Sequence, residues 1–411
     1  MKSTSLLCYL FIFILLLSGC QPKQQNFSDA CSLETDHQMD HPDVAETQKG
    51  YFFLKGTSYG AYLYYCDKQK IEPIPLCDKP NCLHSTEFQS EKWYDCNAYM
   101  GDAYRVFYND GYIYILARGQ ADGTGTSGYY LRKLSAQGAF LENVYQFPAY
   151  PESIVLHRGS LFYSYSGYVS QDAGQTAGSH SLIQVVLNEN IERVLYVSQL
   201  EGGGIAPIMT VGKRLFFNVN GYEDKSAEQA KTITKNYYLD LETETITQIQ
   251  TRTGEAVMNK PVVLSNTMYY SYWYYDYFDE RNQTIYKNNL EGTAEETVFT
   301  APTTCDRLSW DREYFYFDNW PIVGLPDHKD EVRTIRVYDQ DFHLVTSFDL
   351  SNIDGEDYSL STQDALLNVT EDHLLLFVKN TSIENEQMIL LYVNKAELKN
   401  GTVTVQKVPV Y

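Results

Sequence analysis

Positive charge is scarce in this chain. Across 411 residues, Lys and Arg number 32 against 53 Asp and Glu, a net charge of −21. Nucleic-acid binding needs cations clustered along one face, and no such stripe occurs. Adhesion to anionic lipid by charge alone is excluded for the same reason. Beyond the first twenty positions no apolar run approaches the ~18 residues that a membrane-spanning helix needs. Helical periodicity is absent too, and a single turn over Ala227 to Lys231 is the most the pattern allows. No phosphate-cradling or dinucleotide glycine motif is present. What is abundant is tyrosine: 36 residues, nearly twice the 19 phenylalanines. Tyrosine suits half-buried pleated surfaces, so the excess points to β structure. With 44% hydrophobic residues the chain can build a sizeable core.

The N-terminus reads as an export signal. One cation, Lys2, precedes the apolar run Leu6 to Leu17, which ends in Leu17-Ser18-Gly19-Cys20. Twelve apolar residues are short for a transmembrane helix and right for a signal peptide. The tetrapeptide looks like a bacterial lipobox, in which small residues admit the signal peptidase and the Cys20 thiol receives diacylglycerol. Residues 1–19 are thus expected to be removed. Two acyl chains on Cys20 give stable anchoring where one is marginal. The expected address is the extracytoplasmic face of a bacterial membrane. Residues 20–47 are polar and aperiodic, as a flexible tether would be. His37 and His41 within it have helical ligand spacing but no helix to sit on, and Pro42 follows at once.

From residue 48 to 411 one unit recurs: a turn residue, an aromatic or aliphatic strand, a variable polar gap and further short strands. Tyr51, Tyr112, Leu161, Leu215, Met268, Tyr314 and Leu374 mark successive units, spaced by 61, 49, 54, 53, 46 and 60 residues. Seven units of this size fit the blades of an all-β fold, a β-propeller of seven blades, in which radial stacking covers sheet faces that one meander leaves bare. The last strand, Thr402 to Val405, is expected to complete or close the ring with the N-terminal chain.

Chemistry-bearing residues concentrate near the first unit. Cys77, Cys82, His84 and Cys96 read C-x4-C-x-H-x11-C. Outside the cytoplasm, crowded cysteines form disulfides, the reading preferred from sequence. Three thiols and an imidazole also suit a tetrahedral zinc site, the alternative reading, although the spacing lacks the usual C-x2-C knuckle, and free thiols in an anaerobic setting are the third reading. No cofactor is expected beyond that zinc alternative. Either arrangement staples the excursion between the first two units. The stretches Leu76 to His84 and Asp95 to Tyr99 resemble those of exported lipoproteins of gut Firmicutes. Those proteins carry a β-propeller of largely unknown function, similar to lipoprotein-receptor-like and translocation-associated propeller repeats. The resemblance covers the lipobox, tether and first unit, and the later units by pattern. It implies a fold and a location, and no activity.

Catalytic patterns fail on context. Gly56-Thr57-Ser58-Tyr59-Gly60 matches G-x-S-x-G, but it lies between two strands of one unit instead of a strand and a helix. Asn352 to Asp357 offers oxygen ligands without full calcium-loop spacing and reads as a solvated acidic loop. His157, His180, His328, His343 and His373 stand alone and suit surface or packing roles. The densest aromatic run is Met268 to Phe278. Tyr272, Trp273 and Tyr275 are its candidate ligand-binding rings, able to stack on sugars or anchor a peptide, although blade packing uses the same alternation. The expected function is therefore recognition of a glycan, peptide or envelope protein by a tethered propeller. An extracytoplasmic glycan hydrolase or lyase, and an envelope assembly factor, are the alternatives.

Overall fold

The computed structural model describes residues 44–57, 60–82, 84, 96–119, 128–166, 180–223, 232–250, 257–264, 267–273, 284–301, 307–311, 313–319, 332–350, 352–353, 356–357, 367–380, 387–401 and 403–410, with the backbone of 37–39. Of the 31 described strands, all but His37–Met39, Asn352–Ile353 and Glu356–Asp357 fall into seven antiparallel groups of four. The first comprises Val44–Glu46, Gly50–Thr57, Gly60–Asp67 and Ile74–Pro75, and the second Tyr99–Asn109, Tyr112–Arg118, Tyr129–Leu134 and Phe140–Phe147. These two are continuous, because Gly60–Asp67 also pairs with the start of Tyr99–Asn109. The third runs from Ser153 to Val197, the fourth from Glu201 to Ile249 and the fifth from Val257 to Thr300. The sixth spans Arg307 to Asp349 and the seventh Asn368 to Val410.

Period two explains how these sheets assemble. Successive side chains of a strand point to opposite faces. In Gly50–Thr57, Tyr51 and Phe53 pack against Leu375, Leu390 and Val410 of the seventh sheet, whereas Phe52 packs with Val106 and Ile113 of the second. Tyr112–Arg118 repeats the device: Ile113 and Ile115 face the first sheet, Tyr114 and Leu116 the third. Phe162 and Leu161 divide between the fourth and second sheets, and Phe216 and Leu215 between the fifth and third. Phe315 and Tyr316 divide between the fifth and seventh. Each middle strand therefore serves two seams, and the last sheet returns to the first. This is a β-propeller, and the doubly apolar strands Tyr-Phe-Phe and Leu-Leu-Leu are what buried-on-both-faces strands must look like.

Three sequence expectations need correction. Pairing begins before residue 48, because Val44–Glu46 is the innermost strand of the first sheet and His37–Met39 pairs with Glu201–Val211. The final strand is Gln406–Val410 instead of Thr402 to Val405, and it pairs within the seventh sheet. Val403 and Val405 pack against the core between the sixth and seventh sheets. The acidic stretch after Asn352 is a hairpin, Asn352–Ile353 with Glu356–Asp357, and it buries Ile353.

The connections are unequal. Between first and second strands the turns are tight: Asp110-Gly111 and Arg158-Gly159 both take left-handed φ values, as a two-residue hairpin turn of this twist requires. Between second and third strands they are long, covering 119–128, 167–179, 223–231, 274–283 and 319–333. In a four-strand meander these connections leave from the same end as the links to the next sheet.

Candidate functional site

The outer edge of the first sheet is interrupted. Ile74 and Pro75 pair with Tyr65 and Tyr64, and the Leu76 N–H donates to the Leu63 carbonyl over 2.9 Å. The Leu63 N–H instead donates to the carbonyl of Ala98, 2.7 Å away, and Tyr99 then pairs with Tyr62. Two segments distant in sequence thus meet end to end at Leu63, and the chain between them leaves and returns at that junction.

The Cys/His group sits there. Cys77 follows one segment and Cys96 precedes the other. Lys79-Pro80-Asn81-Cys82 makes a tight turn, with the Cys82 N–H directed at the Lys79 carbonyl and Asn81 at φ 61°. Pro followed by a left-handed Asn is the sequence chemistry of a type II turn. It folds Cys82 back toward Cys77. The Asn97 amide donates to the Asp78 carboxylate over 2.5 Å and holds the two ends together. The three sulfurs and one imidazole nitrogen all lie within 4.8 Å of one another, with Cys96 Sγ 3.6 Å from His84 Nδ1. Among the described residues, Cys66, Cys77, Cys82 and Cys96 are unbridged. A disulfide would use two of the three clustered sulfurs and strand the third beside the imidazole.

The electrostatics separate the thiols. Burial opposes ionisation of Cys77, but the amides of Lys79 and Asn97 and the neighbouring thiols hold it below the ordinary thiol value. Burial pushes Cys96 up to about 12, against the Ala98 amide. One thiolate is thus provided for by backbone donors, and further ionisation needs a cation.

A second group of possible oxygen ligands, Glu46, Glu371 and Asp372, already holds a cation: the Lys68 ammonium lies 2.8 Å from Glu46 and 2.8 Å from Asp372.

The aromatic expectation is redistributed. Tyr272 is 2% exposed and belongs to the core between the fourth, fifth and sixth sheets, where its hydroxyl donates to Glu295. Tyr270 donates to the same carboxylate over 2.7 Å. Tyr272 is therefore a packing residue instead of a ligand-binding ring, because the strand it occupies is covered on both faces. Trp273 ends that strand, and Tyr275 and Cys20 lie outside the described residues. Trp310 is buried in the same core.

An exposed aromatic group lies elsewhere. Tyr104, Tyr129 and Tyr150 contact one another with ring centroids 5.1 to 6.3 Å apart. Tyr104 and Tyr150 are 46% and 42% exposed. A register shift between Ala103 and Arg105 turns Tyr104 outward, and Tyr129 opens the third strand opposite Arg118. The trio thus stands at the end from which the long connections leave. Sequence reasoning missed it because the three rings come from separate strands and a link.

No family model matches the sequence, and no curated protein does. Among solved structures the chain is similar to an oligogalacturonate lyase in complex with manganese, at 12% identity and a TM-score of 0.51, covering 90% of this chain and 91% of that one. It is also similar to a prolyl endopeptidase, at 9% identity and a TM-score of 0.53, covering 99% of this chain and 55% of that one. The chain thus spans about half the endopeptidase's length. At such identities the likeness is one of fold.

Proposed function

We propose that this chain is a seven-bladed, lipid-anchored recognition propeller at the extracytoplasmic face of a bacterial membrane, of the kind its Cys-Asp-Lys-Pro stretch resembles, and that it binds glycans. The observation that carries the reading is the tyrosine trio on the loop-bearing end. Three rings in mutual contact, with Tyr150 edge-on to the other two, present an apolar face and three directional hydroxyls, and exposed aromatic groups of this kind mark binding surfaces. The net charge of −21 favours a neutral sugar over an anionic one. Peptides and envelope proteins are the competing ligands.

The test is retention on arrays of neutral and acidic cell-wall and host glycans beside peptides. Tyr104→Ala and Tyr150→Ala should each weaken retention by ~10-fold, as loss of a stacking ring worth ~1–1.5 kcal/mol predicts. Equal retention of wild type and variants, or none on any glycan, overturns the reading. Anchoring is tested separately: Cys20→Ser should abolish incorporation of labelled fatty acid and release the protein from membranes. Labelling that survives the substitution refutes lipidation at Cys20.

A second reading, a glycan lyase or hydrolase, draws on Glu152, whose carboxylate lies 3.9 Å from His180 Nδ1 while its carbonyl faces Arg105. Shortening of arrayed glycans in place of their retention would favour it.

A further inference from the structure

We propose that Cys77, Cys82, His84 and Cys96 bind one zinc ion, in a closed structural site that joins the two halves of the first sheet's outer edge. This is independent of the recognition reading, since it concerns what holds the scaffold and not what the scaffold binds.

Geometry comes first. Zinc takes four ligands tetrahedrally, with Zn–S about 2.3 Å and Zn–N about 2.0 Å. Those radii place ligand atoms about 3.5–3.8 Å apart, again by tetrahedral geometry. The observed Cys96–His84 separation of 3.6 Å already meets that spacing, and the limit of 4.8 Å over the whole set needs only a small contraction. Four protein ligands leave no open position, which is the mark of a structural instead of a catalytic site.

The chemistry of the donors agrees. Soft thiolate with imidazole selects zinc over magnesium, calcium or manganese, which prefer oxygen. Lys79 and Asn97 amides are directed at the Cys77 sulfur, so the second shell for a thiolate ligand is built in. His84 takes a left-handed φ of 48°, an uncommon conformation for a residue with a side chain, and it aims the ring into the cluster.

Position gives the ion a task. Leu63 bonds its two outer-edge partners through its N–H and its carbonyl, and among the described residues no backbone hydrogen bond links Leu76 to Ala98. Cys77 and Cys96 flank that gap. On binding, each of the three thiols gives its proton to solvent and forms one bond to the ion, while neutral His84 donates a lone pair. Uptake therefore releases up to three protons and tightens as pH rises.

The experiment uses the chain from residue 21 onward, purified with reductant and without chelator, and titrated with Zn2+ and with Co2+. One equivalent of zinc should bind, and Co2+ should give thiolate charge-transfer bands with the intense visible absorption of a tetrahedral centre. Cys77→Ser and Cys96→Ser should weaken zinc binding by more than ~100-fold, the upper end of what outer-shell changes cost. Cys66→Ala, a buried cysteine outside the cluster, should leave stoichiometry unchanged. His84→Ala, which removes the one nitrogen ligand, should blue-shift or weaken the Co2+ bands if either serine variant fails to fold. Binding below 0.2 equivalents (on the order of noise for one site), octahedral Co2+ spectra, or a wild-type spectrum in His84→Ala would overturn the proposal. So would a disulfide between any two of Cys77, Cys82 and Cys96 in protein isolated without reductant.

Discussion

Arg333→Leu should destabilise the propeller by about 3–5 kcal/mol, because it leaves the Asp318 carboxylate buried without its cation. The two side chains are each 1% exposed. Arg333 Nε donates to Asp318 Oδ1 over 3.0 Å and a terminal nitrogen donates to Oδ2 over 2.6 Å, a two-pronged fit that only guanidinium offers. The pair closes the ends of the second and third strands of the sixth sheet, where the 319–333 connection leaves. Asn319 reinforces the same mouth through the Val332 carbonyl and the Thr334 N–H. In a domain of this size the loss corresponds to a fall in Tm of roughly 4–7 °C. The double variant Asp318→Asn, Arg333→Met should recover most of it, since replacing both members of a buried pair costs far less than removing one. Thermal scans of the three proteins decide: an Arg333→Leu protein within about 1 kcal/mol of wild type would show the pair to be solvated.

Such a pair is invisible in sequence, and the reason is instructive. Asp318 and Arg333 stand fifteen residues apart around a long polar connection, where ordinary composition puts solvated charges. Only the register that sets Asp318 opposite Ile335 brings them together. The strands themselves were legible, because a sheet buried on both faces writes itself as unbroken apolar runs such as Tyr51-Phe52-Phe53 and Leu374-Leu375-Leu376. The same logic misplaced Tyr272. Where both faces are covered, a dense aromatic run marks the deepest core, and the exposed rings lie instead where a bulge turns Tyr104 outward. The Cys/His group was legible as a cluster because its four members are close in sequence. Its convergence was not, since that depends on the Pro80-Asn81 turn and on the two strand halves meeting at Leu63.

Tyr51→Ala is the other large effect expected, about 3–5 kcal/mol, and it tests how the ring closes. The seventh sheet takes its four strands from 368–410 and the first takes its own from 44–75, so among the described residues no strand is shared across the seam. Closure rests on side chains. Tyr51 is fully buried there with Phe53, Tyr64, Leu375, Leu390 and Val410. Phe53 and Phe377 rings lie 4.5 Å apart, and the Lys55 ammonium donates to the Val410 carbonyl over 2.7 Å. The Tyr51 hydroxyl is hydrogen-bonded to His373 Nδ1 over 2.9 Å and accepts from Thr370, so a neutral His373 with its proton on Nε2 accepts the Tyr51 O–H. Tyr51→Phe keeps the ring and should cost only about 1–3 kcal/mol, the penalty for the buried nitrogen left without its donor. The seam also carries a pH dependence. Burial holds His373 below its ordinary value, with Lys68 and Lys395 adding to the effect and Asp372 opposing it. The unfolded chain therefore binds the proton more readily than the folded one. The contribution is complete above the unfolded value of about 6.5 and is lost as pH falls below it, when Nδ1 gains a proton and can no longer accept from Tyr51. His373→Gln should flatten the decline in Tm between about pH 6.5 and 5, the window in which an ordinary imidazole titrates. An unchanged slope in that variant, or a Tyr51→Ala protein as stable as Tyr51→Phe, would mean that the ring is held shut by something other than this seam.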